Sequence, residues 1–194
     1  MIILASQSPR RAELLRQVGV DFEIRVADVD EQVHAGEAAS DYVRRVAMAK
    51  AEAVRRLAAG RPVLAADTAV VVEGRILGKP RDRADALSML EQLSGRSHEV
   101  LSGVALLADD ANYRLNTSRV TFRTVSAQEA DAYWATGEPA DKAGAYAVQG
   151  LAAAFIERIE GSYSGIMGLP LFETLEMLQA AGLRRVLDVN SRDE

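Results

Sequence analysis

The 194-residue chain is 48% hydrophobic, enough to bury a full core in one domain and too short for two ordinary ones. With no cysteine and only His34 and His98, disulfides, thiol nucleophiles, cysteine-ligated zinc and a histidine-based triad drop out, so any metal must be held mainly by oxygen. A net charge of −5 argues against broad contact with a nucleic-acid backbone and leaves room for a local cationic pocket around a small polyanion.

Ile2 to Ala5 is a short apolar run that opens into Ser6-Gln7-Ser8-Pro9, after which Leu14, Leu15 and Val18 fall at helical spacing up to Gly19. This predicts strand, loop and helix, with Ser8 as the cap and Pro9 in the first turn. Phe22, Ile24 and Val26 alternate as a second strand, and the acidic stretch Asp28, Asp30, Glu31 that follows is too polar for core. From Ala38 to Ala59 the residues Tyr42, Val43, Val46, Ala49, Ala53, Val54 and Leu57 predict a long amphipathic helix closed by Gly60. Pro62 to Ala66 reads as a strand ending at Asp67-Thr68, continued by Ala69 to Val72 up to a Glu73-Gly74 turn. Asp82 to Leu93 predicts a helix stopped by Ser94-Gly95; His98 to Leu107 and Tyr113 to Val125 predict a hairpin. Ser126 and Glu129 form a capping box ahead of a helix through Trp134, ending at Thr136-Gly137. A strand near Ala153 to Ile159 and a helix from Leu171 to Ala181 complete a layered α/β pattern without repeats or low-complexity linkers. No apolar run approaches the roughly 20 residues of a membrane helix. The start, Met1 to Ser6, lacks the basic region and cleavage site of a signal peptide, so the expected location is the cytoplasm.

Four groups of residues could carry chemistry. Ser6-Gln7-Ser8-Pro9-Arg10-Arg11 places hydroxyls, backbone N–H groups and two guanidiniums at a helix start, where an anion is favoured. The plain alternative is serines that cap the helix and arginines on its solvated face. Asp67 is a carboxylate at the end of an apolar strand, costly to bury unless it is paired or binds a metal, and strand ends are where α/β folds put ligands. Its alternative is a turn cap through Thr68. Glu31 could add a second oxygen ligand for Mg²⁺. Lys79, in Gly78-Lys79-Pro80, and Lys50 could neutralise phosphate or be ordinary surface charges, and the spacing excludes a P-loop. The Asp141 to Gly150 block combines charges, glycines and the Gln149 amide in a pocket-lining loop, while His34 and His98 read as structural or surface residues.

Taken in order, Ser6-Gln7-Ser8-Pro9-Arg10-Arg11 with Glu13-Leu14-Leu15, Asp30-Glu31, Ala66-Asp67-Thr68, Gly78-Lys79-Pro80, Leu93-Ser94-Gly95 with His98, Asp141 to Gly150, and Gly168-Leu169-Pro170-Leu171 resemble the Maf-type nucleotide pyrophosphatases from residue 2 to about residue 180. The resemblance implies one domain over 1–194, an elongated α/β fold with a mixed sheet and a deep cleft between two lobes, similar to inosine triphosphate pyrophosphatases. It implies hydrolysis of a nucleoside triphosphate between the α and β phosphates with Mg²⁺ or Mn²⁺, and a homodimer. Asp67 then matches the catalytic proton acceptor, Glu31 and Asp67 the metal site, and Ser6, Arg11, Lys50 and Lys79 the phosphate site. Arg10, Thr68 and Gln149 occupy three positions that track substrate, and the set resembles the branch acting on dTTP and UTP, not the branch acting on 7-methyl-GTP. An amide such as Gln149 can both donate to and accept from a pyrimidine edge. The chain departs from that branch at Ala147-Val148, where Gly-Ile is usual, which excludes an easy positive φ at 147. Two further readings are a nucleotide-binding regulator of cell division without turnover and a transferase using the same cleft.

Overall fold

The computed structural model describes residues 1–183; residues 184–194 of the expected domain lie outside the described ones. Strands β1 (Ile2–Leu4), β2 (Phe22–Ile24), β3 (Val63–Val72), β4 (Arg75–Leu77), β5 (Ser97–Leu107), β6 (Ala111–Phe122) and β7 (Ile156–Glu160) form one mixed sheet in the order β2-β1-β3-β5-β6-β7, with β4 also on β3. β1 pairs parallel to β2 and β3, and every other pairing is antiparallel. The helices are α1 (Pro9–Gln17), α2 (Ala39–Arg55), α3 (Arg83–Leu93), α4 (Ala127–Ala135), α5 (Tyr163–Met167) and α6 (Leu171–Ala180). The expected mixed α/β architecture is present.

The two-residue alternation of β3 divides the core. Val63 and Ala65 point to one face and pack with Ala47, Ala51 and Val54 of α2. Leu64 and Ala66 point to the other and pack with Leu14 and Leu15 of α1 and Leu178 of α6. Farther along that second face, Val70 and Val72 join Leu90 and Leu93 of α3, Tyr133 of α4, Phe122 and Tyr146. One face of the sheet is therefore covered by a single long helix, and the other by two separate groups of elements that meet near Thr68. Such separate cores on one sheet are the physical content of two lobes.

β3 is a single ten-residue strand, so Asp67 lies in its middle and not at its end as its sequence neighbours suggested. The middle of the strand borders open space all the same. β1 pairs with β3 only up to Leu64, and β4 only from Val70, so the intervening edge of β3 has a strand partner on the β5 side alone. A cleft fills that gap.

Other boundaries also differ. The buried stripe of α2 is Val43, Val46, Ala47, Ala51 and Val54; Leu57 lies past the helix and is 70% exposed, because its apolar side chain continues a period that the backbone abandons at Arg56. Ser8 stands at the N-cap of α1 without a side-chain cap bond. The strand expected near Ala153 begins only at Ile156, after a 3₁₀ segment at Leu151–Phe155. Strand β4 and helix α5 have no counterpart in the sequence reading, both being too short for a periodic signal. The Ser126–Glu129 capping box and the β5–β6 hairpin are present.

Candidate active site

A cleft of about 820 Å³ is lined by segments that leave the carboxyl ends of β1, β2 and β4, by the middle of β3 and by the Asp141 to Gln149 loop. The parity of β3 decides what lies on its floor. Asp67 shares the face of Ala65 and points to α2, whereas Thr68 shares the face of Ala66 and points to α1. Lys50 lies three and four residues beyond Ala47 and Val46, inside the buried stripe of α2, and its Nζ reaches Asp67 Oδ1 at 2.8 Å and Glu31 Oε1 at 2.9 Å. A lysine within an apolar helical stripe is thus a readable signal, and the reading of Lys50 as a surface charge is overturned. Asp67 is only 5% exposed and its Oδ2 is buried without a hydrogen-bond partner.

Arg11 is 9% exposed, which overturns the reading of a solvated arginine. Its Nε donates to Gly168 O at 2.7 Å, one η nitrogen to Ser6 Oγ at 3.1 Å, and the other to Thr68 Oγ1 at 3.2 Å. A guanidinium has five N–H groups, so two remain for a ligand once these three are engaged. Thr68 also shares a hydrogen bond of 2.8 Å with Ser102, whose hydroxyl donates to Gly165 O. The Thr68 hydroxyl, on the lining of the cleft, thus links Arg11 to Ser102. Ser102 escaped the sequence reading because a lone serine in an apolar strand carries no pattern.

Arg10 is directed differently, pairing with Asp141 at 3.3 Å across the cleft. Lys79 is exposed and lines the rim. Lys142, also on the lining, bonds Asp141 and the Glu138 carbonyl; it sits in the block expected to line a pocket but was not singled out. The loop that bears Glu31 is held from α2, where Arg45 donates to the carbonyls of Asp30 and Gln32 and Tyr42 to that of Glu31.

Gln149 is exposed on the cleft in a turn closed by the Gly150 N–H on the Ala147 carbonyl at 3.0 Å. Ala147 is not among the positive-φ residues, so alanine fits there without strain; the left-handed positions of this loop are Gly144 and Ala145. At Gly144 a Cβ would come within 2.9 Å of Val70 Cγ1, so only glycine allows the loop to close on β3. His98 is buried as a structural residue, its Nε2 2.9 Å from Tyr146 Oη, and Tyr146 faces the cleft.

Burial pushes the Asp67 carboxyl above its ordinary value, and the Lys50 and Arg11 charges pull in the opposite direction. Burial lowers Arg11, with Asp67 opposing. The floor is therefore a buried carboxylate flanked by the buried Arg11 and the partly buried Lys50, under a rim carrying Arg10, Lys79 and Lys142. Such a set suits a ligand with several negative charges. Among the described residues no three or more acidic or histidine side chains converge as a metal cluster. Glu31 and Asp67, brought together on one ammonium, with Oδ2 unpartnered, fit an ion that takes one or two carboxylates and draws its other ligands from phosphate and water.

A family model described as Maf-like protein matches residues 1–181. The chain belongs to this family. Among relatives of the Maf-like chain, a protein of Methylococcus capsulatus named dTTP/UTP pyrophosphatase is 53% identical over 184 residues, covering 94% of this chain and 91% of that one. A protein of Hahella chejuensis with the same name is 52% identical over 187 residues, covering 94% and 93%. Of solved structures, the Staphylococcus aureus Ham1 protein aligns at 18% identity and a TM-score of 0.45 over 65% of this chain and 72% of that one. No helix among the described residues is long and apolar enough to cross a membrane.

Proposed function

We propose that this Maf-like chain hydrolyses dTTP and UTP between the α and β phosphates, releasing the monophosphate and pyrophosphate. The observation that carries the reading is Asp67, a buried carboxylate with one oxygen on Lys50 and the other free, on the floor of a cleft ringed by cations. Relatives at 52–53% identity over nearly the whole chain, named for this activity, support it.

In the reaction a water oxygen bonds to the α phosphorus, the bond from the α phosphorus to the α,β-bridging oxygen breaks, and pyrophosphate leaves with that oxygen. Asp67 accepts the proton of that water at Oδ2, while Lys50 holds Oδ1 and keeps the carboxylate ionised against the cost of burial. The raised affinity of a buried carboxylate for protons makes it a better base than an exposed one. The two uncommitted Arg11 N–H groups, Lys79 and Arg10 bind phosphate oxygens and stabilise the charge that develops on the leaving pyrophosphate. Mg²⁺ or Mn²⁺, held by Asp67 and Glu31 together with the phosphates, would lower the pKa of water and neutralise phosphate charge. Gln149, on the lining of the cleft, reads the base through its amide.

Pyrophosphate release with Mg²⁺ or Mn²⁺ across dTTP, UTP, CTP, GTP and 7-methyl-GTP, with Asp67→Asn alongside, tests this. Monophosphate and pyrophosphate should form in equal amounts, fastest from dTTP and UTP. Asp67→Asn should fold with a Tm no lower than that of the parent, since it removes a buried charge, and lose kcat by at least about a hundredfold. A variant that keeps more than about a tenth of kcat removes Asp67 as proton acceptor. Preference for GTP or 7-methyl-GTP overturns the pyrimidine assignment, and turnover of none of the five returns the cleft to a binding role.

A further inference from the structure

The turn that carries Gln149 is anchored at both ends by two side chains that never reach the cleft. Ala147 and Gly150 close the turn, with Val148 and Gln149 at its two central positions. On the entry side, the Ala147 N–H donates to Tyr133 Oη at 3.1 Å. On the exit side, the Leu151 N–H donates to Glu138 Oε2 at 3.0 Å and the Ala152 N–H to Oε1 at 3.4 Å, so one carboxylate takes the first N–H groups of the 3₁₀ segment at Leu151–Phe155. The two anchors are themselves joined, since Tyr133 Oη donates to Glu138 Oε1 at 2.6 Å. Gly150 lies directly on the carboxylate, and a Cβ built there would overlap it.

Burial pushes the Glu138 carboxyl up, but hydrogen bonds from Tyr133, Leu151 and Ala152 and the nearby Lys142 ammonium bring it below the usual carboxylate range. It therefore accepts from all three donors as an anion, and charge-assisted bonds of this kind are about twice as strong as neutral ones.

We infer that Glu138, acting with Tyr133, is a positioning residue for base selection: it fixes the Ala147–Gly150 turn from behind so that the Gln149 amide meets the base edge in one orientation. An exposed amide on a two-residue turn tip would otherwise sample several orientations, and hydrogen-bond readout of a base tolerates little angular error. Gly150 follows from the same contact, because the carboxylate occupies the space of a side chain. The inference rests on the reading of Gln149 given under the proposed function.

The test is a double-mutant cycle between Glu138→Gln and Gln149→Ala in the full chain, with kcat and KM measured on dTTP and CTP, and amide hydrogen exchange followed in each variant. The amide of Glu138→Gln can accept from Tyr133 or from the backbone but turns an NH₂ toward the remaining donors. The dTTP-over-CTP preference should fall about tenfold through KM, with kcat on dTTP changed less than about threefold, and the double variant should select no worse than Gln149→Ala alone. Exchange should rise at Ala147, Leu151 and Ala152 and stay unchanged along β3. Tyr133→Phe, which cuts the clamp from its other end, should move the preference in the same direction by less, and stands in if Glu138→Gln does not fold. Unchanged preference in a folded variant, an equal fall in kcat on both nucleotides, or full additivity with Gln149→Ala overturns the inference. If Gln149→Ala leaves the parent's preference intact, the reading of Gln149 fails. The exchange data then judge the clamp separately: unchanged protection at 147–152 overturns it, and loss confined there upholds it.

Discussion

The two walls of the cleft are built on opposite principles. The phosphate wall presents charges held by other charges and hydroxyls: Lys50 between Asp67 and Glu31, and Arg11 between Ser6, Thr68 and Gly168. Beyond the Asp141–Lys142 pair, the facing loop presents the neutral groups Tyr146 and Gln149, held by backbone bonds and by side chains behind them, His98 and the Tyr133–Glu138 pair. Charge acts over distance and tolerates small displacements, whereas an amide edge recognises a partner only when its orientation is set. On the proposed function, affinity for a polyanion would belong to the first wall and selectivity to the second.

The neutral wall should be the first to fail in acid. Burial holds His98 near a pKa of about 4, against an ordinary 6.5. A histidine whose folded value is depressed contributes stability that is present above 6.5 and lost as pH falls toward 4, and a shift of this size corresponds to about 3 kcal/mol at most. Thermal unfolding from pH 7 to 4 should show a steeper loss for the parent than for His98→Phe, which has no such proton to take up. Equal slopes would mean that His98 charges without cost.

The charged wall predicts an ordering among its cations. Arg11→Lys keeps the charge but cannot bond Gly168, Ser6 and Thr68 together. It should lose about 2 kcal/mol of stability through unpaired buried groups, and about tenfold or more in kcat/KM. Lys79 is exposed, so Lys79→Ala should leave the unfolding free energy within about 0.5 kcal/mol of the parent and raise KM by about tenfold or less with kcat little changed. Calorimetry with steady-state kinetics on dTTP separates the two. If Lys79→Ala costs more than Arg11→Lys, the rim and not the buried floor dominates phosphate binding.

Much of the fold was legible because local patterns report local periods. The apolar run ahead of Ser6, the Ser126–Glu129 box and the hairpin of β5 and β6 all stand where the alternation placed them. β4 and α5 are too short to be read, and the stripe of α2 agrees at Val43, Val46 and Val54 but buries Ala47 and Ala51 where Ala49 and Ala53 are expected, because alanine carries little hydrophobic contrast. In the site, Asp67 is legible as a carboxylate that interrupts an apolar run, whereas Lys50 reads equally as a phosphate neutraliser or a surface charge. Glu138 and Ser102 were invisible, since their parts exist only through partners distant in the chain.

What the sequence by itself determined is the order of strands and helices, the family, and the inventory of cations and carboxylates gathered around Asp67. Only the tertiary structure decided their pairing: Lys50 meets Asp67 across 17 residues, Arg11 meets Thr68 across 57 and Gly168 across 157. The reason is that a strand's period settles which side chains share a face, but sheet order and register settle which helix that face meets, and here the gap between β1 and β4 turned the middle of β3 into the floor of the cleft.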